Sequence, residues 1–135
     1  MTTFITARLQ AACNSYVGAL DLGTADAHAH LVIYDVDDVA LATISLQNPA
    51  FGDATLAAPS VATAAGLPIA FTGSAVGVAH HYEAQDRDRV KQWEGLCGLA
   101  GSGHSCIMNS LAVGVGQAGT VTSLVLRLAN GTAET

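Results

Sequence analysis

Leu41-Ala-Thr-Ile-Ser-Leu-Gln-Asn-Pro-Ala-Phe-Gly52 divides the chain. Its first half is a strand pattern, with Leu41, Thr43 and Ser45 on one face and Ala42, Ile44 and Leu46 on the other. It stops at Asn48-Pro49, because proline donates nothing to a ladder and pushes the preceding residue out of helical geometry. Phe51, one of only three phenylalanines, follows at once and is expected to plug the end of a core. Upstream lie a helix and one strand; downstream lie further strands.

Residues 4–20 predict the helix. Ile5, Leu9, Ala12, Cys13, Tyr16 and Leu20 fall on one face at 3.6 residues per turn, while Thr6, Gln10 and Asn14 lie away from it. Thr2 or Thr3 is the expected cap, and Asp21-Leu22-Gly23 the stop. The apolar stripe would lie on a sheet or on a neighbouring subunit. A polar loop leads to a strand at His30–Asp35, apolar on both faces and so expected to be buried on both. Asp35-Val-Asp-Asp38 is a turn, since aspartates hydrogen-bond their own backbone, and Val39–Leu46 returns antiparallel.

Beyond Gly52, short strands are expected around Ser60–Ala64, Ile69–Thr72 and Ser105–Met108. Val76–Glu83 gives the clearest later pattern, with Val76, Val78, His80 and Tyr82 on one face. Asp86-Arg-Asp-Arg89 is a hairpin tip, expected to be solvated, and Val90–Cys97 returns with Trp93. Residues 98–103 and 109–118 are Gly-rich loops, and Thr120–Leu128 closes the fold. Six or seven strands, frequent turns and a single helix predict a mainly β domain. Its expected form is an antiparallel β-sandwich, jelly-roll or Ig-like, over residues 30–128, with one N-terminal α-helix at 4–20 and a flexible tail at 129–135.

Length and composition narrow the function. The 135 residues suit one domain. Eleven acidic against five basic residues give a net charge of −6, which argues against nucleic acid and against an anionic membrane surface. Charged residues are only 12% of the chain, about half the ordinary share. Either partner subunits cover much of the surface, or that surface is built of Ala, Ser, Thr and Gly. The N-terminus shows no signal-peptide pattern and no run reaches membrane-spanning length, so synthesis and folding in a cytoplasm are expected.

Motifs that could carry chemistry are sparse. His28 and His30, two apart on a strand, would share a face as a zinc site needs, with His104 or an aspartate completing it. The favoured reading makes them loop and strand-edge residues, with no metal and no cofactor. His80 and His81 are expected on opposite faces and so in no common site. Gly101-Ser-Gly-His-Ser105 lacks the strand-to-helix turn of a nucleophile elbow, and no helix follows Gly114-Val-Gly-Gln-Ala-Gly119 to present donors to a phosphate. Asp37-Asp38 reads as a turn, not an acid/base dyad. Cys97 and Cys106 could face each other across a hairpin, as a disulfide in an oxidising setting or as buried thiols in a reducing one. No enzyme is indicated.

The order of helix, Leu31-Val-Ile-Tyr34, the Leu41–Gly52 element, a late strand pair around a polar turn, and Gly119-Thr-Val-Thr-Ser-Leu124 resembles a group of small virion-associated proteins of tailed bacteriophages and prophages. The likeness runs over residues 4–128, and the Pro-Ala-Phe-Gly element is its most specific part. The histidines, cysteines and Trp93 depart from it. The resemblance implies a structural virion component made in the host cytoplasm, with a capsid decoration or cement protein fitting best. Its partners would be the major capsid protein and itself, as a trimer or dimer. Tail or baseplate components, and a β-sandwich module for receptors or glycans, are the alternatives. The expected contact residues are Ile5, Leu9, Tyr16 and Trp93.

Overall fold

The computed structural model describes residues 4–129. Helix α1 spans Thr6–Ala19 and is followed by β1 (His30–Tyr34), β2 (Ala40–Ser45), β3 (Ser60–Thr63), β4 (Ile69–Thr72) and β5 (Gly77–Val78). Then come β6 (His81–Gln85), β7 (Lys91–Gly98), β8 (Cys106–Met108), β9 (Ala112–Val113) and β10 (Ala118–Leu128). The protein is mainly β with one N-terminal helix, as the sequence predicts. The expected caps Thr2 and Thr3 and the tail from residue 130 onward lie outside the described residues.

One curled sheet runs in the order β2-β1-β6-β7-β8-β10-β3, and β4 also pairs with β10; β5 and β9 form a separate two-stranded piece. The eleven-residue β10 pairs its first four residues with β4 and its last four with β3. Every pairing is antiparallel except β7 with β8, which run parallel over Cys97↔Cys106 and Gly98↔Ile107. The sequence expects a hairpin there. A loop at residues 99–105 instead returns the chain to start β8 beside β7, turning through Gly101 (φ 87°) and Gly103 (φ 80°), where a side chain would be strained.

Two hairpins use the same turn. In Asp35-Val-Asp-Asp-Val39 and Asp86-Arg-Asp-Arg-Val90 the leading carboxylate accepts from the N–H groups two and four residues on, and the fourth residue is left-handed. The aspartates therefore do what the sequence assigned to the first turn. The second tip is not free in solvent, however. Asp88 Oδ1 accepts from Thr24 N (2.9 Å) and Ala25 N (2.8 Å), and Arg87 and Arg89 donate to Asp26. The tip is docked on the loop after the helix, and those two N–H groups hold the Asp88 carboxyl below its ordinary pKa.

Large and small side chains alternate across the β1–β6–β7 layer. One cross-strand row reads Leu31–Ala84–Trp93 and the next Ile33–Tyr82–Gly95. Tyr82 is fully buried, and a Cβ at Gly95 would stand 2.7 Å from its hydroxyl, so glycine makes the room the ring fills. Gly119 opposite Phe71 repeats the device, since a Cβ there would meet the Phe71 ring. Cross-strand volume complementarity of this kind leaves no periodic trace in a sequence.

The helix packs on β3 and β10 through Leu9, Cys13 and Val17, with Leu20 buried just beyond. The expected stripe is thus rotated: Val17 joins it, while Ile5, Ala12 and Tyr16 stand on an exposed flank. The polar residues expected to face away grip the chain instead. Gln10 Nε2 donates to Ala54 O, Asn14 Oδ1 accepts from Ala54 N, and Asp21 Oδ1 accepts from Ala50 N. The far end of Leu41–Gly52 is thereby tied at Ala50 to the turn after the helix, and Ala54 just beyond it to the helix itself. At its near end the Leu41 carbonyl accepts from Ser74 N and Oγ, which covers the start of edge strand β2.

Phe51 is buried, bridges to Ala64 and packs edge-on against Trp93 at 5.7 Å, so the plug expected from the sequence is present. The Val76–Glu83 strand is not. Val76 is 78% exposed, β5 ends at Val78 and β6 begins at His81, because Ala79 turns inward and its N–H bonds Leu111 O. The apparent alternation joined two separate strands.

Candidate functional site

Three features of the surface and core are candidates for function: an apolar flank of the helix, the histidines, and a pair of cysteines.

The flank forms a groove of about 420 Å³ between the helix and the end of β10, lined by Phe4, Arg8, Ala12, Tyr16 and Leu128, with Leu9 at its floor. Of the four contact residues expected from sequence, Ile5 (67% exposed) and Tyr16 (48%) lie on this side of the helix and are accessible. Leu9 is 4% exposed and belongs to the core, because it sits on the stripe facing β3 and β10. Trp93 is half-buried against Phe51 and the core, with its Nε1 enclosed and without an acceptor in hydrogen-bonding geometry, so its ring is not a free contact. Among the described residues no helix is long and apolar enough to cross a membrane.

The metal set His28, His30 and His104 is not assembled, and among the described residues no three His, Cys, Asp or Glu side chains gather as a metal site. His28 stands exposed in the loop, His30 is buried on β1, and His104 lies in the 99–105 loop near Gly98. His30 Nδ1 is enclosed without a hydrogen-bond partner, 3.8 Å from Asp26 Oδ2. Burial, with Arg89 nearby, lowers its pKa and keeps the ring neutral, against the smaller opposing pull of Asp26.

His80 and His81 do come together, contrary to the opposite-face expectation. His80 lies just outside β6, so strand alternation does not govern it, and its Nδ1 is 2.9 Å from His81 Nδ1. His81 Nε2 is 2.8 Å from Asp38 Oδ1, and its ring stacks on Tyr34 at 5.3 Å. Asp38 comes from the β1–β2 turn, so the two hairpin ends that build the cluster are remote in sequence. The group lines a cleft of about 540 Å³ whose other walls are Val36, Glu94, Gly95 and Leu96.

Cys97 and Cys106 are direct partners on β7 and β8 and are free thiols in the core. The hydrogen bond to Cys97, together with burial, drives the Cys106 thiol far above the ordinary cysteine range. In the glycine loop preceding Cys106, Ser105 Oγ is 2.6 Å from the Tyr82 hydroxyl and engaged with it. Burial raises the Tyr82 pKa, with the bond to Ser105 partly offsetting it.

Comparison with protein-family models, with curated proteins and with solved structures returns no match to this chain.

Proposed function

We propose that this chain is a structural component of a tailed-phage virion, a decoration protein that binds the assembled capsid shell in many copies and stabilises it. The observation supporting this is where the family-like segments lie. Leu31–Tyr34 is β1, Leu41–Gly52 is β2 and the plug, and Gly119–Leu124 belongs to β10. They are joined through Gly52 N to Thr63 O and Ala64 N to Leu124 O, so together they form scaffold and line no reaction site. A recurring pattern made of core residues suits a part whose task is to be a rigid body.

The surface supports the same reading. With charged residues at 12% of the chain and an apolar groove beside Ile5 and Tyr16, the accessible face suits contacts to a second copy or to the shell. Self-association into a closed ring, a trimer or dimer, places many such faces on one shell.

Light scattering on the purified chain, followed by sedimentation with purified capsids, tests it. A cyclic oligomer that pellets saturably with shells and raises their melting temperature is expected. A strict monomer that stays in the supernatant overturns the proposal, and pelleting with isolated tails but not with shells replaces decoration by a tail role.

A further inference from the structure

We infer that His80 and His81 form a two-imidazole site for a borderline divalent cation of the zinc, copper or nickel class, with Asp38 as the residue that positions His81. Imidazole is a good donor to these ions, and a ligating histidine ordinarily gives its other ring N–H to a carboxylate. The atoms of that arrangement stand close together: His81 Nδ1 lies 2.9 Å from His80 Nδ1, and its Nε2 lies 2.8 Å from Asp38 Oδ1.

The Asp38 carboxylate 2.8 Å from His81 Nε2 favours the tautomer protonated there. A neutral His81 in that tautomer has a bare lone pair on Nδ1. His80 Nδ1 then carries the proton that bridges the two rings. A cation takes the place of that proton, which moves to Nε2 of the exposed His80 ring or to solvent. The spacing fits: two nitrogens bound to one tetrahedral zinc at 2.0–2.1 Å stand about 3.3 Å apart, so small ring rotations suffice.

The surroundings favour the ion. Tyr34 stacks on His81 and holds its plane, Glu94 adds a carboxylate to the same cleft, and the chain carries a net charge of −6. Two imidazoles leave coordination positions open for water or for a group from another molecule, as the breadth of the cleft allows.

Titration calorimetry of the untagged full chain with zinc chloride, supported by cobalt(II) absorption spectra, tests the site. The wild type is expected to take up one ion, with ligand-field bands of nitrogen coordination in the cobalt form. His80→Ala and His81→Ala should each abolish saturable uptake, and Asp38→Asn should weaken it about 10–100-fold. His28→Ala and His104→Ala should bind as the wild type does. Metal-free melting curves serve as the control for folding, since exposed His80 can be replaced without disturbing the core. Absence of uptake by the wild type, uptake that survives in the His80→Ala/His81→Ala double variant, or loss in the His28 or His104 variants overturns the inference.

Discussion

Replacing Phe51 by alanine removes the plug at the end of the core. The ring is 5% exposed and touches Trp93 edge-on at 5.7 Å, so almost its full transfer free energy and an aromatic contact are lost. Phe→Ala changes in cores cost about 3–5 kcal/mol, and the spread reflects how far the site collapses. Here collapse is restricted, because Gln10 and Asn14 hold Ala54, and Asp21 holds Ala50, on the two sides of the ring. For a chain of 135 residues the unfolding entropy is roughly 0.28 kcal/mol/K, so a loss of about 3–5 kcal/mol lowers Tm by about 11–18 °C. Urea unfolding followed by emission of Trp93, the only tryptophan, measures the loss and also reports the plug, since an opened site shifts that emission to the red. Phe51→Leu should retain most of the stability, within about 1.5 kcal/mol of wild type. A Phe51→Ala variant that loses less than about 1 kcal/mol with unshifted emission would falsify the plug.

Other expectations concern the same core and the docked hairpin. Gly95→Ala sets a Cβ against Tyr82 and Ser105, and should cost about 1–3 kcal/mol by chemical denaturation, whereas alanine at the unobstructed Gly18 should be neutral or stabilising. Acid should weaken the fold in two windows. His30 has its folded pKa below the ordinary 6.5, so the unfolded chain binds the proton first; its contribution is complete above about pH 6.5 and shrinks as pH falls through that value. Melting temperatures at pH 8 to 5 should fall in wild type and fall less in His30→Leu; equal slopes would remove His30 as the cause. Asp88, also depressed, holds the hairpin tip above its unfolded value of 3.8 and releases it as pH drops through the still lower folded value, which hydrogen exchange at Thr24 and Ala25 would report. The Cys13 thiol, raised by burial, and the Cys106 thiol, raised by the bond to Cys97 and then by burial, should resist alkylation in the native protein and react once guanidinium unfolds it; rapid native labelling of either contradicts their placement.

What the sequence determined by itself was local. A short run apolar on both faces marked His30–Asp35 as a strand, the pattern of Val39–Leu46 marked its partner, a period near 3.6 marked residues 4–20 as a helix, and Asp35 closed a turn through its own backbone, because each depends on neighbours a few positions away. The same locality explains Phe51, whose place after a strand terminator already marked it for burial. Tertiary structure decided what depends on partners far along the chain. The helix face turned so that Val17 went in and Tyr16 out, since β3 and β10 select the stripe and periodicity alone cannot separate adjacent ones. Trp93 left the list of contact residues because Phe51 covers it. His80 and His81 met because strand alternation ends at β6, and Asp38 joined them across a sequence separation that no spacing rule spans. Leu41–Gly52 belongs to both accounts: its pattern shows a strand and a stop, but only the folded chain brings Asp21 and Ser74 to hold it and Gln10 and Asn14 to hold Ala54 just after it. Hydrogen bonds to backbone groups carry no residue signature on the backbone side, and so the clamp is visible only in three dimensions.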